Sequence, residues 1–354
     1  MTAIGPIAVT RTYFHCSTCE QGEFGADLVL GIDEFVTPGA RRIATLLGVQ
    51  QSFAKAEFVL AETVGWTLDD DTIRKLCHET ARNATNTRAE RVTAESFAEA
   101  KALGERPVDT ELQIDAGKVN TMDGWRDVKV AVFACRERGQ SITPAEWDER
   151  DLPPPSVRSV IAAVEEASLF GERCVAEAKR LKQTDAKEIS VLGDGAEWIW
   201  NLADRHFCGA QQGLDFWHGA GYLDTGAKAV FGDATEEARA AFQRGKGKLL
   251  EDGYWGVTEW IGELIGQRVV GGDGADLGGV LNYFSGHQDR LKYAARLCRG
   301  QSIGSGLVEG SIKQLLNKRL KQTGARWKVE HVGPFVEFVA LAGGPEWGGF
   351  WENY

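Results

Sequence analysis

Three carboxylates define the chemistry this sequence could perform. Asp115 lies in QIDAG, Asp194 in LGDG and Glu309 in GLVEGS. Each alone has an ordinary structural use: a polar residue in a strand, an Asp-Gly turn, an acid at a helix start. Brought together without basic partners, they would repel one another and their pKa values would rise unless divalent cations neutralised them. Two Mg²⁺ (or Mn²⁺) ions about 4 Å apart would then activate a water or a 3′-hydroxyl and stabilise the leaving oxygen of a phosphodiester. All three are therefore candidate catalytic residues and metal ligands.

Glu309 heads a helix that is otherwise basic. Ser302 and Ser305 offer N-cap oxygens, and Gly304 and Gly306 allow a tight entry. Ile312, Leu315, Leu316 and Leu320 recur at helical spacing, which predicts one buried face and an end at Gly324. Lys313, Lys318, Arg319, Lys321 and Arg326 supply positive charge along it in a chain of net charge -11. A local basic stripe in an acidic protein suits a polyanion, so the exposed members of this set are candidate DNA-backbone contacts. A solvated helix face is the plainer reading of the same residues.

The elements that must position these groups follow from periodicity. Residues 111–119 alternate as a strand, Met122 to Trp125 read as a hairpin turn, and 126–135 is the antiparallel partner, with Val128, Val130 and Val132 on one face. A third strand is expected at 157–164 and a helix at 166–181. A short apolar strand at 189–192 leads into Gly193-Asp194-Gly195, with a helix at 196–206. GLDFWH at 213–218 reads as one more short strand followed by a helix. Three antiparallel strands, then helix, strand, helix, strand, is the order of an α/β core of the RNase H-like kind. There the first and fourth strands are neighbours, so Asp115 and Asp194 would meet and the closing helix would bring Glu309 beside them.

Around that core (107–223 and 301–354) the chain divides into a zinc-ribbon-like segment (1–36), a helical module (37–106) and an all-α insertion (224–300). The module predicts helices at 40–47 and from Ser52 to about 63, a break at Gly65, a third helix opened by residues 67–71 with Ile73, Leu76 and Cys77 inward, and a long helix at 82–103. That outline matches a helix-turn-helix, but any three-helix bundle shares it, and Asp69-Asp70-Asp71 would repel phosphate. The insertion carries glycine-rich breaks, notably at 271–279, without the Gly-Lys-Ser/Thr of a P-loop. Trp347, Phe350 and Trp351 in the tail are expected to dock on the core.

Cys16 and Cys19 form half of a zinc knuckle. A tetrahedral site needs a second pair, and the sequence holds no other closely spaced one, so Zn²⁺ within this chain alone is not expected and the missing half is expected upstream of Met1. Seven scattered cysteines suit reduced thiols, and no apolar run reaches the ~18 residues of a membrane span. A cytoplasmic, nucleoid-associated protein is the expectation.

QIDAGKVNTMDGWRDVKVAVFA, VLGDGAEWIW, LDFWH and IGSGLVEGSIKQLLNKRLKQTGARW resemble the motifs of bacterial DDE-type insertion-sequence transposases of the ISKra-type group, over roughly residues 8–351. The resemblance implies a retroviral-integrase-like core, Asp115, Asp194 and Glu309 as the metal-binding triad, an insertion domain before the closing motif, DNA as partner and a homo-oligomer assembled on it. Asp215 and His218 match a D-x-x-H pattern of that group, with a supporting hydrogen bond and direct chemistry both open as roles. Two other functions stay open: an RNase H-like nuclease that cleaves without strand transfer, and a catalytically idle DNA-binding regulator.

Overall fold

A computed structural model describes residues 1–32, 35–267 and 275–354. A short hairpin, β1 (Tyr13–His15) and β2 (Gly22–Phe24), precedes the helical module. The main sheet has five strands: β3 (Val108–Thr121), β4 (Gly124–Glu137), β5 (Val157–Ala163), β6 (Ile189–Gly193) and β7 (Gln211–Leu214). Their spatial order is β5-β4-β3-β6-β7, with β4 antiparallel to both β3 and β5, and β6 and β7 parallel to β3. The protein is thus a mixed α/β fold built on a mixed sheet.

Side chains alternate across a strand, and both faces of this sheet are covered. Leu112, Ile114, Ala131, Phe133, Ile161 and Val191 enter one core, shared with Phe170, Ile199, Leu223, Leu249 and Trp260 from later helices. Val119, Val128, Val130, Val132, Val160 and Ala162 enter the other, shared with the N-terminal module, the closing helix and the helix Val329–Ala342. Phe350 and Trp351 of the tail also pack there.

The module folds as its caps dictate. Thr37, Ser52 and Asp69 accept from backbone N–H groups at the starts of Pro38–Gln50, Phe53–Val64 and Asp70–Asn86. Gly65 closes the second helix in the left-handed conformation. Ile73, Leu76 and Cys77 are buried.

Three expectations need correction. The single helix at 82–103 is broken, because the chain leaves Asp70–Asn86 at Thr87, makes a short 3₁₀ turn at Arg88–Glu90 and resumes at Thr93–Leu103. The break turns Arg88 inward. Its guanidinium donates to Glu177 Oε1 and Oε2 (both 3.0 Å), Glu337 Oε2 (3.1 Å), Ser159 Oγ (2.8 Å) and the Val160 carbonyl (2.7 Å). The strand expected at 213–218 ends at Leu214, since Asp215 caps the helix Phe216–Phe231 and Phe216 and Trp217 form its first turn. The closing helix is shorter than its apolar spacing suggested: Gly306–Ser311 is α-helical, Ile312–Asn317 is π-helical, and the chain then turns well before Gly324. The insertion is helical at Glu236–Asp252, Tyr254–Gln267, Ala275–Ser285 and Tyr293–Cys298. Residues 271–274 of its expected glycine-rich break lie outside the described residues.

Candidate active site

The parallel ladder between β3 and β6 runs from Thr110↔Ile189 to Ile114↔Gly193. The next residue on each strand is an aspartate, so Asp115 and Asp194 stand side by side where the two strands part, on the same face of the sheet. Gly195 then turns with φ +102, a conformation disfavoured for any residue with a side chain, and a Cβ there would lie 2.7 Å from the Tyr283 hydroxyl. Tyr283 donates to the Asp194 carbonyl at 3.1 Å.

The closing helix reaches this face because β3 gives it room. A Cβ on Gly117 would stand 2.6 Å from Leu316 and 3.1 Å from Ile312, so the glycine lets the helix lie directly against the strand. Two N–H groups at the helix start, those of Leu307 (2.9 Å) and Val308 (3.3 Å), donate to Gln113 Oε1. Gln113 donates in turn to Glu111 (2.8 Å), which also accepts from Arg136 Nε (3.1 Å) and Ser302 Oγ (2.5 Å). Ser302 and Ser305 therefore do not cap the helix. Their hydroxyls donate to buried carboxylates instead, and a side-chain amide from the sheet takes the capping role.

Asp215 holds the second half of the frame. It is 1% exposed, and its own N–H donates to the Gly193 carbonyl at 2.8 Å. Its Oδ1 accepts from the His218 N–H (2.6 Å), and Oδ2 accepts from the N–H (2.6 Å) and hydroxyl (3.0 Å) of Ser305. Through its backbone N–H and its carboxylate together, this one residue ties Gly193, just before Asp194, to the turn that launches Glu309. His218 is exposed, with its ring 6.1 Å from that of Tyr283.

Burial raises Asp115 to about 6, against a hydrogen bond from Ala116 N–H (2.6 Å) that lowers it; the charges of Asp194 and Glu309 raise it further, and His218 opposes them. Asp115 therefore feels the charges of the other two acids. As they stand the three do not close into one ligand shell, and among the described residues no group of three His, Cys, Asp or Glu does. Glu309 meets Lys313 at 3.7 Å in an exposed pair of little energetic weight.

Because the folded-state pKa of Asp115 stands above the unfolded 3.8, the protonated acid favours the fold at low pH, and this advantage goes as pH rises through about 6. Asp115→Asn mimics the protonated form. In chelator at pH 7.5 it is expected to melt a few degrees above the unsubstituted protein, with the difference vanishing near pH 4; scanning calorimetry across this range checks it. An equal offset at both pH values would remove the charge from the explanation.

The basic set divides. Lys313, Lys318, Lys321 and Arg326 are exposed. Arg319 corrects the expectation, being 3% exposed, with its guanidinium over the rings of Phe53, Phe335 and Trp327 and its Nε donating to the Gly48 carbonyl at 2.8 Å. Cys16 and Cys19 are exposed free thiols, and Cys16 is lowered to about 7, first by the Cys19 N–H and then by that of Thr18. No third and fourth ligand joins them among the described residues.

The residues that sequence reading missed are Glu111 and Gln113. A signal existed: Glu111, Gln113 and Asp115 fall at i, i+2 and i+4 on one face, alternating with the apolar Leu112 and Ile114. No protein-family model matches the chain, and no curated protein matches it either.

Proposed function

We propose that this chain is a DNA transposase of an insertion sequence, of the DDE type, using Asp115, Asp194 and Glu309 as its catalytic and metal-binding carboxylates. The observation that carries the reading is the pair of aspartates on adjacent parallel strands, coupled to a glutamate on the helix laid across β3. The sheet supports it too, since the order β5-β4-β3-β6-β7 with its antiparallel and parallel halves is that of an RNase H-like core. The helices between Glu236 and Cys298 then occupy the place of the insertion in such enzymes.

The donor set suits hard divalent cations such as Mg²⁺ or Mn²⁺. Asp115 and Asp194 each fix one oxygen on a backbone N–H, of Ala116 and Ala196, and no described Lys or Arg pairs with either acid. Ions held by the three carboxylates would supply positive charge for the attacking and leaving oxygens of a phosphodiester. The frame of Gln113, Glu111 and Asp215 keeps the carboxylates oriented before any ligand arrives. The exposed lysines beside Glu309 draw the neighbouring phosphates along the helix.

The test uses a duplex carrying the DNA ends that flank the gene, a target plasmid and Mg²⁺ or Mn²⁺. Cut ends and joined products are expected. Cleavage without joining would leave a nuclease, and binding without either would leave a regulator. A separate outcome concerns the path of DNA: Lys318→Gln with Lys321→Gln should weaken binding alike for all sequences and lower the slope of log Kd against log salt by about one to two units. An unchanged slope in a folded double variant would leave these lysines as a solvated face.

A further inference from the structure

A second polar site lies on the far side of the closing segment from its contact with β3. The helix Asp70–Asn86, the turn after residue 319 and the first turn of Val329–Ala342 enclose an open cleft of about 610 Å³. Trp327 fixes its edge: its N–H donates to the Asn120 carbonyl (3.1 Å), its carbonyl accepts from Met122 N–H (2.9 Å), and its indole donates to the Leu320 carbonyl (3.0 Å). The cleft is therefore anchored to the end of β3.

Its lining holds a surplus of donors. Arg319 is 97% removed from solvent, keeps an Nη2 with no hydrogen-bond partner and pairs with no carboxylate among the described residues. A guanidinium stays charged at any ordinary pH, and a buried charge without its counterion is costly. His78, 7% exposed, stacks on His331 with ring centroids 4.1 Å apart, and Nδ1 of each ring lacks a partner. Burial is the main force lowering both imidazoles, His78 to about 3, so they stand neutral, each with one N–H and one lone-pair nitrogen, and an acceptor at Nδ1 would draw the N–H to that atom. Arg326 and Lys328 stand exposed at the rim, and the one acid of the lining is Asp70, while Arg74 is already engaged by Asp71.

Four cationic side chains against one acid, with a buried guanidinium nitrogen and two imidazole nitrogens left without partners, describe a site short of an anion. We propose that this cleft binds a phosphoryl oxyanion, with Arg319, His78 and His331 at its floor and Arg326 and Lys328 at its mouth. An apolar ligand would leave the nitrogens unsatisfied, and a cation would meet Arg319. A phosphate group supplies several acceptor oxygens and the countercharge together. The group could belong to a DNA backbone or to a free phosphate. The open mouth, with Arg326 and Lys328 exposed at it, favours the backbone, and only that choice of source rests on the function proposed above.

The experiment follows the imidazole NMR signals of His78 and His331, assigned with His78→Gln and His331→Gln, in the full chain with chelator present so that the carboxylate site stays silent. Inorganic phosphate is titrated first, and a short duplex separately. Both are expected to move the two signals saturably, and Arg326→Gln with Lys328→Gln, which changes only exposed side chains, should weaken each about tenfold. A response to phosphate but not to the duplex keeps the site and overturns its assignment to a DNA backbone. Silence with both ligands, or an undiminished response in the double variant, overturns the site itself. Duplex cleavage assayed in parallel with metal separates the two readings: a chain that cuts DNA while these histidines stay unmoved loses this inference alone.

Discussion

Asp194→Asn should lower strand cleavage and joining on the order of 10³-fold or more, the scale seen when a charge-stabilising group is removed from a reaction centre. The substitution keeps the acceptor that receives the Ala196 N–H at 3.0 Å, so the turn through Gly195 has no reason to move. It deletes one negative charge from a group of three and hardly alters volume. Fold and duplex binding in chelator should therefore match the unsubstituted protein, with the melting temperature equal or slightly higher once repulsion with Asp115 is relieved. Cleavage measured on a flanking-end duplex with Mn²⁺ checks it. A variant that keeps a tenth of the rate would take Asp194 out of the chemistry.

Arg88→Met is expected to destabilise the fold by about 3–5 kcal/mol, the range for stranding buried charges by removing their partner. Glu177 is 4% exposed and Glu337 6%; Glu177 would keep Arg180 at 2.7 Å, whereas Glu337 would be left with no ion-pair partner among the described residues. Burial alone would raise Glu177, but Arg180 and Arg88 outweigh it and hold it down at about 2. Its contribution is accordingly present above the unfolded value of 4.5 and fades as pH falls through about 2. Urea unfolding at pH 7 and pH 3 should show the gap between variant and parent narrowing in acid. Adding Glu337→Gln should recover part of the loss at pH 7; no recovery would mean that packing, not charge, sets the cost.

The local elements of this protein were legible because their signals are local. Ser52 and Gly65 bracket a helix by their own chemistry, and the valines at 128, 130 and 132 mark a strand by parity alone. Asp115 and Asp194 could be placed as neighbours once the strand order was assumed. What escaped was decided by contacts distant in sequence. Arg88 breaks its helix to reach partners 89 and 249 residues away, and no propensity within 82–103 announces that. Ser302 and Ser305 look like caps until Glu111 and Asp215, 191 and 90 residues upstream, claim their hydroxyls. Arg319 counted as a surface cation because its neighbours in sequence are surface cations. The aromatic shelf of Phe53, Trp327 and Phe335 that buries it is assembled from three separate elements.

The π-helical stretch after Glu309 changes the phase of everything beyond it. In an α-helix, residues five apart sit roughly 140° from each other around the axis. Here Lys318 N–H donates to the Lys313 carbonyl and Lys321 N–H to that of Leu316, each five residues back, so such residues stand closer together around the axis. Lys313 and Lys318 are thereby brought nearer to one face of the segment than a regular α-helical winding would put them. Glu309 stands in the α-helical half, before the wider turn begins. The wider turn works as a gearbox between two halves of one rod: it sets the azimuth of the cations without rotating the acid.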